Sequence, residues 1–387
     1  MVGGAAIVAH SGGPTAVINA SLLGIVEAAR RHPEIASLHG ARFGIEGVLS
    51  EDFVDLFALE PFRLSAVGQA PASALGTSRR ALTADDFDRA LSIFRARGVR
   101  FFFYTGGNGS MATAHEIAVR ARDAGHALTV IGVPKTIDND LAGTDHAPGY
   151  PSAARFFASA ARDIGADNRA LPAQVQFVEV LGRHAGWIAA ATSLVRRSED
   201  DAPHLIYVPE RPLSLDRLFT DVGRVYNRLR RCTVVVCEGQ LDERGEPFGA
   251  DVRVSARGPL AMNLGHRLAL LVTEKMGLKA RSEKPGLFGR SSLALRSDVD
   301  WHEARMCGRA AVAAAASGTS DVMVGMERQP GSEYSVVTRL VPLVEVAGVE
   351  RVFPTAWIGE DGHSIHPAFT EYAAPLLGRL EVHESLA

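Results

Sequence analysis

The chain carries 387 residues, 47% apolar and 22% charged, so it exceeds the ~100–200 residues typical of one domain and can bury a large core in two lobes or in one α/β unit with an insertion. Lys and Arg number 41 against 44 Asp and Glu, a formal charge of −3, which leaves no electrostatic case for a nucleic-acid or anionic-membrane partner; any basic site must be local. Cys232, Cys237 and Cys307 lack metal-ligand spacing and read as reduced core thiols, no apolar run approaches the ~18–20 residues of a membrane span, and the first residues have no basic n-region, so the cytoplasm is the expected location.

Short runs rich in Ile, Val and Phe alternate with amphipathic Ala/Arg/Leu stretches of helical length. The pattern predicts a strand over 5–9 and a helix over 15–30, a strand over 100–104 and a helix over 111–124, a strand over 128–133 and a helix over 152–164, then a strand over 174–180 and a helix over 187–195. It continues with a strand over 204–208, a helix over 215–230, a strand over 233–237, helices over 260–276 and 301–316, and a strand over 321–325. This order is that of an α/β protein with parallel sheets covered by helices. Glycines recur where a strand gives way to a helix, at Gly12-Gly13, Gly106-Gly107 and Gly182, and in an open parallel sheet that edge is where ligands bind. The charged stretch 196–203 reads as a solvated loop.

The first of these turns runs from the strand through Gly12-Gly13 into a helix opened by Pro14. Paired glycines let backbone N–H groups approach a phosphate, although a tight turn without ligand has the same pattern. The second is Gly106-Gly107-Asn108-Gly109, where Asn108 can donate to a phosphate oxygen and an Asp would help hold a metal instead. The third, Pro134-Lys135-Thr136-Ile137-Asp138-Asn139-Asp140, packs a cation, a hydroxyl and two carboxylates behind an apolar strand. Phosphoryl transfer to an alcohol needs a base, a cation against the charge of the moving group and a carboxylate for Mg2+; Asp138, Lys135 and Asp140 suit those roles in that order, with a solvated Asp-rich turn as the competing reading. Further on, Gly182-Arg183 supplies a cation for a phosphate or sugar hydroxyl, and Glu238 a carboxylate for sugar hydroxyls or a structural ion pair. Arg281 and Arg290 flank Gly286 and Gly289 and suit a distal phosphate, or stand solvated in loops.

Taken in order, these segments resemble the phosphofructokinase superfamily, and within it the bacterial pyrophosphate-dependent branch. The resemblance spans nearly the whole chain and rests on Ser11-Gly-Gly-Pro-Thr-Ala-Val-Ile-Asn19, Gly106-Gly-Asn-Gly-Ser-Met111, Pro134-Lys-Thr-Ile-Asp-Asn-Asp140, Thr144-Asp-His-Ala-Pro-Gly149, Val178-Glu-Val-Leu-Gly-Arg-His-Ala-Gly-Trp187, Glu238-Gly239 and Ser297-Asp-Val-Asp-Trp-His-Glu-Ala-Arg305. It implies a phosphofructokinase fold: two Rossmann-like lobes with mostly parallel sheets and the active site between them. The lobes are expected to be discontinuous, a phosphoryl-donor lobe over 1–149 plus about 289–340 and a sugar-phosphate lobe over 150–288 plus about 341–387.

By matching position, the resemblance implies that Asp138 is the base toward the 1-hydroxyl of fructose 6-phosphate, with Thr136 orienting the same substrate and Lys135 beside it. Gly12, Gly13, Gly107, Asn108 and Gly109 would line the donor pocket, Asp140 and Asn108 would lie at Mg2+, and Gly182, Arg183, Glu238 and Arg290 would hold the sugar phosphate, with Arg281 reaching a neighbouring subunit of a homodimer or homotetramer. Lys135 matches the pyrophosphate pattern, as do Asn108, the opening motif and the stretch 358–363, whereas Gly109 stands where that branch carries Asp, which keeps ATP as an alternative donor. Ala112, Leu181 and Leu287 depart from the usual residues; a hydrogen bond missing at Leu287 would weaken sugar-phosphate binding by about 1–3 kcal/mol, and sedoheptulose 7-phosphate or a weakly active sugar-phosphate-binding role are the further alternatives.

Overall fold

The computed structural model describes residues 3–248, 252–255, 258–261 and 263–384. Its strands are β1 (Gly4–His10), β2 (Ile35–Ala41), β3 (Phe53–Asp55), β4 (Val99–Gly106), β5 (Thr129–Pro134), β6 (Val175–Val180), β7 (Leu205–Tyr207), β8 (Cys232–Cys237), β9 (Val252–Ser255), β10 (Gly258–Ala261), β11 (Ala280–Glu283), β12 (Val322–Arg328) and β13 (Val336–Pro342). The chain forms two compact units, Met1–Tyr150 with Asp298–Arg351, and Pro151–Ser297 with Val352–Ala387.

The first unit is built on a seven-stranded sheet in the order β13-β12-β5-β4-β1-β2-β3. Its middle pairings are parallel and the edge strands β3 and β13 run antiparallel to their neighbours. The near-continuous burial of β1 and β5 follows from helices on both faces. On one face the helices Ile18–Ala29 and Asp298–Ala316 pack through Leu22, Ile25, Val26, Cys307, Ala311 and Val312. They approach closely because both lack a side chain at the crossing: a Cβ on Gly24 would lie 2.1 Å from the Arg305 carbonyl oxygen, and one on Gly308 2.1 Å from that of Ser21. On the other face the helices Ala84–Ala96 and Asn108–Asp123 set Phe94, Met111 and Ile117 against Phe102 and Tyr104.

The second unit carries a four-stranded parallel sheet, β11-β6-β8-β7, and the separate hairpin β9–β10. Here Trp187 is fully buried and its ring contacts Phe353, Trp357, Phe369 and Tyr372, so the C-terminal helix Pro367–Leu377 is tied to the unit by an aromatic cluster. Cys232, Cys237 and Cys307 are buried free thiols, as expected of core residues.

The α/β expectation and each predicted strand recur in the structure, with shifts at the ends. The first helix begins at Ile18, not at Pro14, because 12–17 run along the sheet edge: Gly12 N donates to Ser78 O (2.9 Å) and Val17 N to Thr15 Oγ1 (3.3 Å) before the helix starts. The helix predicted over 260–276 begins at Leu264, since 258–261 form β10 and Asn263 takes a left-handed φ of 50°; residue 262 lies outside the described residues. Strands β2 and β13 and the helices Pro61–Gln69, Ala84–Ala96 and Pro367–Leu377 have no counterpart among the predicted elements.

Candidate active site

Neighbouring parallel strands β1, β4 and β5 deliver the three glycine-rich or charged turns to one sheet edge. The registers Ala9↔Tyr104 and Gly106↔Pro134 bring 11–13, 106–109 and 135–140 side by side. Lys135 N donates to Gly106 O (3.0 Å), and the Lys135 side chain, only 4% exposed, reaches back over the first turn: a Cβ placed on Gly12 (φ 80°) would sit 3.2 Å from Lys135 Nζ. Gly12 is pinned by a segment that the sequence reading passed over. Thr77 Oγ1 donates to Gly12 O (2.8 Å), and Ser11 bridges Ser78. The signal for it was a polar run, Gly76-Thr-Ser-Arg-Arg80, at no strand–helix junction.

His10 closes β1. It is fully buried, and burial together with the nearby Lys135 ammonium pushes its pKa down to about 3, so the ring stays neutral. Ser73 Oγ donates to Gly76 O (2.6 Å), which leaves Ser73 to accept from His10 Nδ1 (2.8 Å) and fixes the ring as the Nδ1–H tautomer.

At the second turn Gly107 caps the helix Asn108–Asp123, whose first N–H groups point out of the sheet edge. A Cβ on Gly109 would meet nothing within 4 Å, and one on Gly107 only the Lys135 carbonyl oxygen at 3.6 Å and Thr136 Cβ at 3.9 Å. Open space therefore lies beside the start of this helix, and an anion site needs such room.

The third turn is held by its own side chains. Thr136 Oγ1 accepts Asp138 N (3.1 Å), Asn139 takes a left-handed φ of 54° and its Oδ1 accepts Ala147 N (3.0 Å). Thr136 N in turn donates to Pro148 O (3.1 Å). The half-buried Asp138 lies between these fixed points. Asn108 does not extend its amide into the open space as expected: Nδ2 donates to Asp140 O (3.1 Å) and Asp140 Oδ2 (3.0 Å). Burial, with Glu350 nearby, raises the Asp140 pKa. Asn108 Oδ1 and Asp140 Oδ1 are both buried without a hydrogen-bond partner, two hard oxygens on paired side chains that suit a small divalent cation.

In the second unit the register Val180↔Cys237 places Gly182-Arg183 beside Glu238-Gly239. The backbones touch: a Cβ on Gly239 would fall 1.5 Å from the Arg183 carbonyl oxygen, and Gly182 has φ 129°. Burial and the neighbouring Glu179 raise the Glu238 pKa, opposed by Lys284, the Gly182 N–H and Arg183. Lys284 is a member of this cluster that the sequence reading missed; it pairs with Glu179, which is 2% exposed and also accepts Gly265 N (2.9 Å). Arg290 is half-buried in the short helix Phe288–Ser291, next to Leu287, which is 62% exposed. Arg281 stands apart from the cluster within this chain. It is exposed on the edge strand β11 opposite Gln176, about 13 Å before the end of β6 at ~3.3 Å per residue.

The Phosphofructokinase family model matches residues 5–315. A pyrophosphate–fructose 6-phosphate 1-phosphotransferase of Rhodospirillum rubrum is 40% identical over 98% of this chain and 95% of its own. A sulfofructose kinase of Alkalicoccus urumqiensis is 32% identical, with 91% of each chain covered. The crystal structure of a pyrophosphate-dependent phosphofructokinase from Marinobacter aquaeolei superposes with a TM-score of 0.89 at 32% identity, covering 99% of this chain and 93% of that one. With a match across most of its length and a shared architecture, the chain belongs to the phosphofructokinase family.

Proposed function

We propose that this chain transfers a phosphoryl group from pyrophosphate to the 1-hydroxyl of fructose 6-phosphate, giving fructose 1,6-bisphosphate and orthophosphate. The observation that carries the reading is the single sheet edge on which Asp138, Thr136 and the buried Lys135 stand beside Gly12 and the open helix start at Gly107–Gly109. The relatives named for this reaction support the choice of donor and acceptor.

Asp138 takes the proton of the 1-hydroxyl as its oxygen attacks the terminal phosphorus; the bridging P–O bond breaks and orthophosphate leaves. Lys135 offsets the charge on the moving group, and the first N–H groups of the helix Asn108–Asp123, beside the Gly12-Gly13 turn, cradle the donor. Thr136 orients the acceptor. The partnerless Asn108 and Asp140 oxygens fit Mg2+, which keeps several waters and takes few protein ligands; among the described residues no cluster of three or more His, Cys, Asp or Glu offers a fuller cage. Bound there, Mg2+ supplies charge neutralisation at phosphate oxygens. Gly182, Arg183, Glu238 and Arg290 hold the sugar phosphate, and Arg281, exposed on its edge strand, serves the site of a second copy in a cytoplasmic homodimer or homotetramer.

ATP as donor is the second reading, favoured by the empty space around Gly109, where nothing stands in the way of a longer phosphate chain. Purified protein given Mg2+ and fructose 6-phosphate with each donor in turn decides between them: fructose 1,6-bisphosphate forms with pyrophosphate, and faster turnover with ATP would overturn that choice. Asp138→Asn lowers kcat about 10²–10⁴-fold with little change in sugar KM, and an undiminished kcat would remove Asp138 as the base.

A further inference from the structure

Two motifs of this chain, 144–149 and 297–305, have no part in the chemistry above, and one buried side chain joins them. His146 is fully buried, with Nδ1 2.9 Å from Asp145 Oδ2 and Nε2 2.6 Å from Glu303 Oε2. An ionised carboxylate only accepts hydrogen bonds, so both ring nitrogens must carry protons. Two acceptors on opposite sides of the ring favour the imidazolium. Around it, Tyr334 Oη donates to Glu303 Oε1 (2.6 Å), Arg328 pairs with Asp145 Oδ2 (3.1 Å) and lies 4.9 Å over the Tyr334 ring, and Arg351 Nη1 donates to Thr144 O (3.1 Å) and to Asp145 O. Asp300 and the buried Cys307 thiol lie near Glu303 on the same helix, which also carries Asp298, His302, Arg305 and Arg309.

The same loop braces the candidate base. Thr144 Oγ1 donates to His146 O (2.7 Å); directly after His146, Ala147 N bonds Asn139 Oδ1 (3.0 Å), Pro148 O accepts Thr136 N (3.1 Å) and Gly149 N donates to Asp300 Oδ1 (2.8 Å). The anchors of the Thr136–Asp140 turn thus hang on the loop that His146 ties to the helix Asp298–Ala316.

We propose that His146, held as a cation between Asp145 and Glu303, is a positioning residue that sets the Thr136–Asp140 turn from behind and so fixes how Asp138 meets the acceptor hydroxyl. This rests on the reading of Asp138 as the base. Burial alone would lower the His146 pKa, but its two carboxylate partners outweigh that and hold it up at about 9, so turnover falls as pH rises through that value.

The test uses the full-length protein. In His146→Gln, kcat falls about 10–100-fold while KM for fructose 6-phosphate and for pyrophosphate moves less than about threefold, and the alkaline limb of the wild-type kcat profile disappears. In Glu303→Gln the limb moves to lower pH, since one of the two stabilising carboxylates is gone. Nitrogen NMR of the wild type at pH 7.5 shows both His146 ring nitrogens protonated. A neutral ring in that spectrum overturns the proposal, as does folded His146→Gln with kcat within about twofold of wild type. Should His146→Gln not fold, an unmoved limb in Glu303→Gln overturns it. Asp138→Asn assayed alongside separates the two ideas: undiminished turnover there removes the base and the link drawn here, whereas a neutral His146 removes only the positioning role.

Discussion

The glycines of the first unit's second turn and those of the second unit's charged cluster look alike in sequence but do opposite work. At Gly107 and Gly109 an added Cβ meets open space or ordinary contacts, while at Gly239 it would fall 1.5 Å from the Arg183 carbonyl oxygen and at Gly182 2.6 Å from that of Ala185. The first pair leaves room for something outside the chain, and the second lets two turns of the chain touch. A glycine after a strand is therefore a statement about clearance only once its neighbours are known.

The contrast is broken most severely at Gly239. Gly239→Ala drives a methyl group into backbone that cannot yield, and costs more than about 3 kcal/mol, read as a collapse of the urea midpoint or loss of soluble protein. A wild-type midpoint in that variant would mean that the two turns do not touch. Next in size is a pH effect at the first turn. His10 has a folded pKa of about 3 against an ordinary 6.5, so the unfolded chain takes up the proton first; the stability from burying the neutral ring is complete above about pH 6.5 and drains away as pH falls toward 3. Urea melts across that range show His10→Gln with a shallower acid loss, and parallel curves would dismiss the assignment.

Lys284→Met probes the second cluster by leaving Glu179 buried without its cation. With Lys284 itself partly exposed, the cost is about 1–3 kcal/mol in thermal or chemical melts, smaller than for a fully buried pair. The smallest expected change is at Gly109. Gly109→Ala leaves stability within about 1 kcal/mol, on the favourable side because the position is helical, and Gly109→Asp folds equally well while lowering the ratio of ATP to pyrophosphate use. Destabilisation by more than about 2 kcal/mol in either would show that the space is not open.

Most of the strands that carry the site were legible as apolar runs followed by glycine, lysine or glutamate, a pattern that burial on both faces imposes, and β6 shows it in spite of Gln176 and Glu179. Strand β2, with His39 and Ser37 among its residues, and β13, exposed along much of its length, have no such run and gave no signal. At the site, residue types pointed to chemistry but not to partners. Asn108 turns to Asp140, 32 positions away, and Lys284 reaches Glu179 across 105; only the fold decides such pairings. Thr136, Asn139 and Asp140 were visible as a motif, yet the bracing loop behind them depends on Glu303, far along the chain.

The interleaving of the two units has a consequence for synthesis on the ribosome. Strand β5 ends at Pro134, but the strand that covers its outer side, β12, begins only at Val322, and the helix Asp298–Ala316 that shields Ile18–Ala29 is made just before it. At ~5–20 residues per second the nascent amino-terminal half waits about 10–40 s with an unpaired edge and an oily helix face. Production of this enzyme will thus depend on chaperone capacity, and messages that terminate between the two segments yield insoluble fragments in place of a working half.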